Sequence, residues 1–273
     1  MANMLIKDLR VISHGLPEDV TLWPHIPCPT CKRKGLTLVE NSLVREESKD
    51  SESLHSDPNW EPDCISGAFH CILQCNGRSC EIVRVVGAMS YGYKSTISSY
   101  EESPYCEFYN PTHFYPSLPL IESFDLCPEE VRKRVKIASA VLWADPSSAA
   151  NRLRSAAEAL MDDQGIMRKG LDRKGKTTDL NLHSRIELFQ KAKPNLKEVG
   201  DLLLAVKFIG NVGSHESILD MHSVLDGVEI FDQALTLLYD NSSRAILDKA
   251  AMITARKGKP VDVLTEVPEQ WNF

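Results

Sequence analysis

The chain has 273 residues, 42% of them hydrophobic and 25% charged, which gives apolar mass for one or two folded domains and excludes wholesale disorder. Basic side chains number 31 against 38 acidic ones, and the resulting charge of −7 excludes a protein held over its whole surface to nucleic acid by phosphate neutralisation. No run approaches the ~18 apolar residues of a bilayer-spanning helix, and the longest, Leu202 to Ile209, is broken by Lys207.

Residues 1–22 mix Lys7, Asp8, Arg10, Glu18 and Asp19 with apolar side chains and lack the continuous apolar core of a signal peptide, so a cytoplasmic location is expected. Composition then changes near residue 118. Before it lie every cysteine but Cys127 and 10 basic against 15 acidic side chains; after it, 21 basic against 23 acidic side chains accompany helical periodicity. The predicted fold class is α+β: an N-terminal segment (1–22), a small metal-stapled β module (23–118), an up-and-down helical bundle (119–256) and an extended tail (257–273).

In the β module, Glu81 to Ala88 is rich in β-branched residues and predicts a strand, with shorter ones at Leu36–Val39, Phe69–Gln74 and Cys106–Tyr109. Residues 45–63 hold seven acidic and two basic side chains with little apolar content beyond Leu54 and Trp60, which predicts a solvated, mobile insertion. Past residue 118, Pro128 opens a helix carrying Val131, Val135, Ala138 and Leu142. Asp145 with Pro146 caps a second, which carries Ala149, Leu153, Ala156, Ala157 and Leu160 and stops at Gly165. A third covers Leu180–Ala192. Asn195 and Glu198 form a capping-box pattern for a fourth with Val199, Leu202, Leu203, Val206 and Ile209. A fifth covers Val224–Asp240, with Arg244–Arg256 extending or following it. Short loops between four or five helices imply the bundle.

Cysteine usage is the strongest chemical signal. Cys28-Pro-Thr-Cys31, followed by Gly35 for a tight turn, has the spacing at which two thiolates share one ion, and Cys75-x4-Cys80 supplies a second pair. Together they predict a tetrahedral Zn2+ site, closed to water and therefore structural. Cys64, His70 and Cys71 are competing ligands, because Cys71-x3-Cys75 also brings two thiols near one another. The aromatic stretch Tyr91 to Tyr115 offers rings for base stacking or, more simply, for covering a small sheet.

The fourth helix ends in Lys207-Phe-Ile-Gly-Asn211-Val-Gly-Ser-His215-Glu216. With Trp60-Glu-Pro-Asp, Phe69-His70, Cys75-x4-Cys80-Glu81, the prolines around Tyr115-Pro116 and Leu118-Pro119, and Arg154-x3-Glu158, this stretch resembles the bacterial domain-of-unknown-function family 4145 from about Trp23 to Asp240. The resemblance implies a zinc ribbon before a HEPN-like helical bundle, in a family that recurs in restriction and phage-defence proteins. HEPN ribonucleases carry an arginine separated from a following histidine by four to six residues and pair two such motifs across a dimer to cleave RNA without metal; histidine moves a proton near neutral pH while arginine stabilises charge on the phosphate. Here the three arginine positions are Phe208, Ile209 and Gly210, none of them charged.

The resemblance therefore implies a non-catalytic or regulatory binding module, homodimeric through the bundle. The enzymatic alternative uses His215 with Lys207, Asn211, Arg154 and Glu158; the interaction-only alternative is an adaptor for a separate defence effector. For RNA or other nucleic acid, the basic loop Arg168, Lys169, Arg173, Lys174 and Lys176 is the candidate contact.

Overall fold

A computed structural model of the chain describes residues 4–32, 34–77, 80–93, 104–171, 175–213, 219–240 and 242–257. They divide into two compact units, residues 1–238 and 239–273.

Helix α1 (Met4–Ile12) opens the first unit and buries Leu5, Ile6, Leu9 and Ile12, one apolar stripe at helical spacing. The strands follow as β1 (Leu16–Pro17), β2 (Leu36–Leu38), β3 (Val44–Glu47), β4 (Ser66–Cys75), β5 (Val83–Tyr93) and β6 (Tyr105–Tyr115), with the short helix α2 (Lys49–Leu54) between β3 and β4. All pairings are antiparallel, in the order β1-β6-β5-β4-β2, and β3 continues the β4 edge where β2 leaves it. Alternation decides the two faces. Phe69, Cys71 and Leu73 of β4, Val83, Val85 and Met89 of β5, and Tyr109 and Phe114 of β6 are buried, while their neighbours His70, Val86 and His113 are exposed in one cross-strand row.

The β5/β6 ladder shifts register between Val86 and Gly87, opposite Pro111, whose missing N–H suits a bulge. Gly87 is required there: a Cβ would stand 2.2 Å from the Asn110 carbonyl oxygen.

The acidic stretch 45–63 is solvated as expected, with Ser51 alone buried, but it is built into regular structure and is not a loose insertion. Val44–Glu47 pairs with Gly67–His70, Ser48 accepts the Ser51 N–H (3.2 Å) at the start of α2, and the Ser51 hydroxyl donates to Glu47 (2.6 Å). Arg45 crosses the sheet to donate to the buried Glu107 carboxylate at 2.7 Å, which also accepts from the Tyr109 hydroxyl at 2.6 Å. Burial and that carboxylate push the Tyr109 phenol up to about 12.

Five helices complete the first unit: α3 (Glu129–Val141), α4 (Pro146–Asp163), α5 (Leu182–Ala192), α6 (Lys197–Val212) and α7 (Met221–Tyr239). Asp145 caps α4 by accepting from the Ser148 N–H (2.9 Å), Asn181 does the same for α5 through Ser184 (3.0 Å), and Gly165 at φ +74° follows the end of α4. The buried stripes are those of the periodicity, among them Val131, Val135 and Ala138, then Leu153, Ala157 and Leu160, then Val199, Leu203 and Val206. The capping box at Asn195 does not form, because Pro194–Leu196 winds as a 3-10 turn and α6 begins behind Leu196 with no side-chain cap. Pro128 sits at the cap of α3, one position before its first turn.

Sheet and helices share one core. Phe114 of β6 meets Trp143 after α3 at a ring separation of 5.1 Å, and Ser139 of α3 donates to the Leu118 carbonyl at 2.5 Å. Asp232 of α7, buried, accepts the N–H groups of Glu122 and Ser123 at 3.0 Å each and the Ser123 hydroxyl, anchoring the 3-10 turn Glu122–Leu126 that leads from β6 into α3. Arg10 of α1 reaches Asp226 (2.6 Å) and Glu229 (2.9 Å) on α7.

Between α4 and α5 lies a feature absent from the sequence reading: strands β7 (Lys169–Leu171) and β8 (Thr177–Asp179) form a hairpin. In the second unit, helix α8 (Ser242–Ala255) exposes Ile246 and Met252. Residues 258–273, most of the expected tail, lie outside the described residues.

Candidate metal centre

Cys28 and Cys31 stand on a tight loop. The Cys28 N–H donates to the Lys34 carbonyl (3.0 Å), Pro27 bridges Gly35, and the Lys32 N–H returns to the Cys28 carbonyl (2.9 Å). The left-handed position of this turn is Lys32, at φ 56°, and not Gly35 as its sequence position suggested; Gly35 is needed for closeness, since a Cβ there would lie 2.8 Å from the His25 ring.

Cys75 ends β4 and Cys80 precedes β5. The two pairs meet because β2, leaving the first loop, pairs Leu36 with Cys75 itself. All four sulfurs lie within 4.8 Å of one another, and among the described residues Cys28, Cys31, Cys75 and Cys80 form the one cluster able to hold a metal ion.

The geometry tests whether an ion fits. Cys31 and Cys75 sulfurs are 3.7 Å apart, far beyond a disulfide and close to the edge of about 3.8 Å that a tetrahedron with metal–sulfur bonds of about 2.3 Å has. Gly77 donates its N–H to the Cys75 sulfur (3.3 Å), and a Cβ on Gly77 would approach the Cys80 sulfur to 2.7 Å, so the loop is cut to cradle that thiol. Burial, with the neighbouring thiols, pushes Cys80 up to about 12. For Cys75 the Gly77 N–H and the Cys80 thiol act downward, but burial and the Cys28 and Cys31 thiols carry the shift upward. Four thiols crowded in this way ionise together only around a cation, and an all-sulfur tetrahedral set suits zinc or iron. An ion held by all four would have no position left for water or substrate.

The competing ligands go elsewhere. Cys71 points into the core beside Phe69 and Leu73, where burial raises it to about 12, while Cys64 is exposed and His70 lies on the open face of the sheet. Of the aromatic stretch, Tyr109 and Phe114 are core, and Tyr115 stays open at 76% exposure.

The second candidate set lies where α4 crosses α6. Arg154 and Glu158 form a half-buried pair at 3.4 Å, one turn apart on α4. Arg154 packs at Gly210: a Cβ on Gly210 would stand 2.5 Å from the Arg154 Cβ and 3.0 Å from the Ala150 carbonyl oxygen. Asn211 follows Gly210 directly and is half-buried, whereas the Lys207 ammonium lies 4.1 Å from the centre of the Phe208 ring. Ile209 turns toward α7, where it covers Gly227. His215 lies outside the described residues.

The basic loop is the β7/β8 hairpin. Arg168 forks onto Asp162 at 2.8 and 2.5 Å, and Asp162 also holds the buried Arg185 of α5 at 2.6 Å. Arg185 further donates to the Glu158 and Ile166 carbonyls at the end of α4, a capping role with no local sequence signal. Lys169 and Lys176 line a hollow of about 300 Å³ with Thr177, Thr178 and Asp179. Arg173 and Lys174 lie outside the described residues.

Residues 136–256 match the family DUF4145. That family is described as a domain of unknown function, and residues 19–114 match a second one of the same description, DUF8608. The first match covers the second half of α3 and all of α4 to α8; the second covers the cysteine cluster and the sheet from β2 through most of β6. No curated protein and no solved structure matches the chain. Among the described residues no helix is long and apolar enough to cross a membrane.

Proposed function

We propose that the chain is a cytoplasmic bacterial binding module, in which a structural Zn2+ site and its sheet are joined to a HEPN-like helical bundle, acting without catalysis of its own in defence against foreign nucleic acid. One observation carries the non-catalytic part. Of the three positions where a HEPN ribonuclease carries its arginine, Gly210 is buried against Arg154 with no room for a Cβ, Ile209 packs on Gly227, and Phe208 is an exposed ring beneath Lys207. None supplies the cation that would stabilise a cleaving phosphate.

Two further observations support the reading. Phe208 and Val212, one turn apart on α6, are 55% and 43% exposed, a pair that a second copy would cover in a homodimer. The β7/β8 hairpin carries Lys169 and Lys176, both exposed, which would meet phosphate there.

The test uses the full chain, with metal content measured by atomic emission. Labelled RNA and DNA are titrated in EDTA at two salt concentrations, for wild type and His215→Ala at matched dimer content. The reading expects one zinc per chain, salt-sensitive binding and intact nucleic acid with both proteins. RNA cleavage by wild type alone overturns the non-catalytic assignment, and absence of binding to either polymer overturns the nucleic-acid role and leaves a protein adaptor.

A further inference from the structure

A cavity of about 410 Å³ opens between the cysteine loop and the helices. Thr30 and Lys32 form its wall on the metal side, residues 116–121 its floor, and Phe124, Val135 and Lys136 the wall toward α3. The volume falls in the range of small-molecule sites, and the surface is mainly apolar with a few charged groups converging on it, the usual make-up of such a site. Pro116 and Pro119 stiffen the floor, so the cavity needs little ordering when a ligand enters.

Charge selects the occupant. Lys32, Lys136 and Glu81 are the charged lining residues. Both ammonium groups sit over the same ring, at 4.8 Å for Lys32 and 5.6 Å for Lys136 from the centre of Phe124. Lys32 is held by the backbone of the cysteine turn and paired with Asp125 (2.7 Å), a carboxylate 78% exposed. Lys136 makes no ion pair among the described residues, and its neighbour Lys133 takes up Glu129 and Glu130 of the same helix. Two cations at one aromatic ring, beside an apolar hollow, form a place for a molecule that is part ring or chain and part anion.

We propose that this cavity binds a small amphipathic organic anion, its apolar body against Phe124, Val135 and the proline floor and its acidic group at the Lys32 and Lys136 ammoniums. The site is independent of the nucleic-acid reading, since neither hairpin lysine lines it. Thr30 lies between two of the metal-binding cysteines and Lys32 directly after them, so the wall keeps its shape only while the cysteine loop does.

The probe is 1-anilinonaphthalene-8-sulfonate, titrated by fluorescence into metal-loaded full chain, beside N-phenyl-1-naphthylamine, which has the same ring system without the sulfonate. The proposal expects one saturable site for each, mutually competitive. Lys136→Ala weakens the sulfonate about threefold to tenfold, the scale of one exposed charge contact, and leaves the neutral analogue unchanged. Lys136→Arg keeps both affinities, and Lys133→Ala, an exposed lysine on the same helix paired with Glu129 and Glu130, changes neither. The proposal is overturned if no single-site binding is seen, if Lys136→Ala moves both probes alike, or if it moves neither.

Discussion

Gly210 of α6 lies directly on Arg154 of α4, so near that a single added Cβ would come within 2.5 Å of the arginine's own Cβ. Gly213, one turn on, repeats the arrangement against the Ser147 carbonyl oxygen, also at 2.5 Å. The two helices approach at backbone distance here, and small residues set that distance.

Gly210→Ala is therefore expected to destabilise the chain by about 1–3 kcal/mol, since the contact atoms belong to backbone and to the stem of a side chain that cannot swing away. Thermal unfolding checks this. Gly210→Arg, which writes the missing HEPN arginine back into the sequence, is expected to lower the melting temperature further and to yield no RNA cleavage. A stable Gly210→Arg protein would mean that the two helices can part.

Removing the metal should loosen the sheet end at which both cysteine pairs stand. Cys31→Ser and Cys80→Ser are expected to lose the bound ion and to unfold at lower temperature than wild type, with metal content and melting curve as the readouts. Loading should also weaken as pH falls from 7 to 5, because protons compete for the four thiolates and each ligand has to release one. A pH-independent stoichiometric uptake at low metal concentration would point to ligands other than thiols.

Asp162 gives a pH dependence of known sign. The Arg168 hydrogen bond, against the opposing cost of burial and with help from Arg185, holds its carboxyl below the ordinary value. The folded state thus releases this proton more readily than the unfolded chain. The stabilisation is complete above the unfolded carboxylate value of about 3.9 and disappears as pH falls through the lower folded one. Asp162→Asn should cost about 1–3 kcal/mol at pH 7, because Arg185 is left buried without its carboxylate. The gap between wild type and variant should close below pH 4. Urea unfolding at the two pH values measures it.

Lys169→Ala with Lys176→Ala should lower affinity for any RNA or DNA bound and reduce the slope of log affinity against log salt by about one to two. Arg168→Ala should act differently, on stability through Asp162 as well as on binding. Equal salt slopes for wild type and the double lysine variant would remove the hairpin from the interface.

How much of this could be read from the residues depended on the range of the interaction. Pairs such as Cys28-x2-Cys31 and the stripes of α3 to α7 are local, and the periodicity found them. That the second cysteine pair closes on the first is set by the Leu36–Cys75 register, which no window of sequence contains. Residues 44–47 have one apolar side chain among four and read as solvent-loving; they form a strand because the β4 edge offers hydrogen bonds and because Arg45 finds a buried carboxylate more than sixty positions away. Arg185 and Asp232 look like surface charges in the sequence and are buried caps in the fold. Lys136 was visible as part of a basic cluster, but its place over Phe124 depends on the turn that Asp232 holds.

That turn also fixes an order of events during synthesis. The Glu122–Leu126 turn, on the path between the last strand of the sheet and the first helix of the bundle, is held by a carboxylate that leaves the ribosome more than a hundred residues later, and α1 waits for the same helix through Arg10. Strands β1 to β6 can pair early, but the seam between sheet and helices stays open until α7 emerges. A chain cut near residue 118, or stopped short of Asp232, is expected to present that unsealed apolar seam to chaperones and proteases instead of folding as a smaller version of the whole.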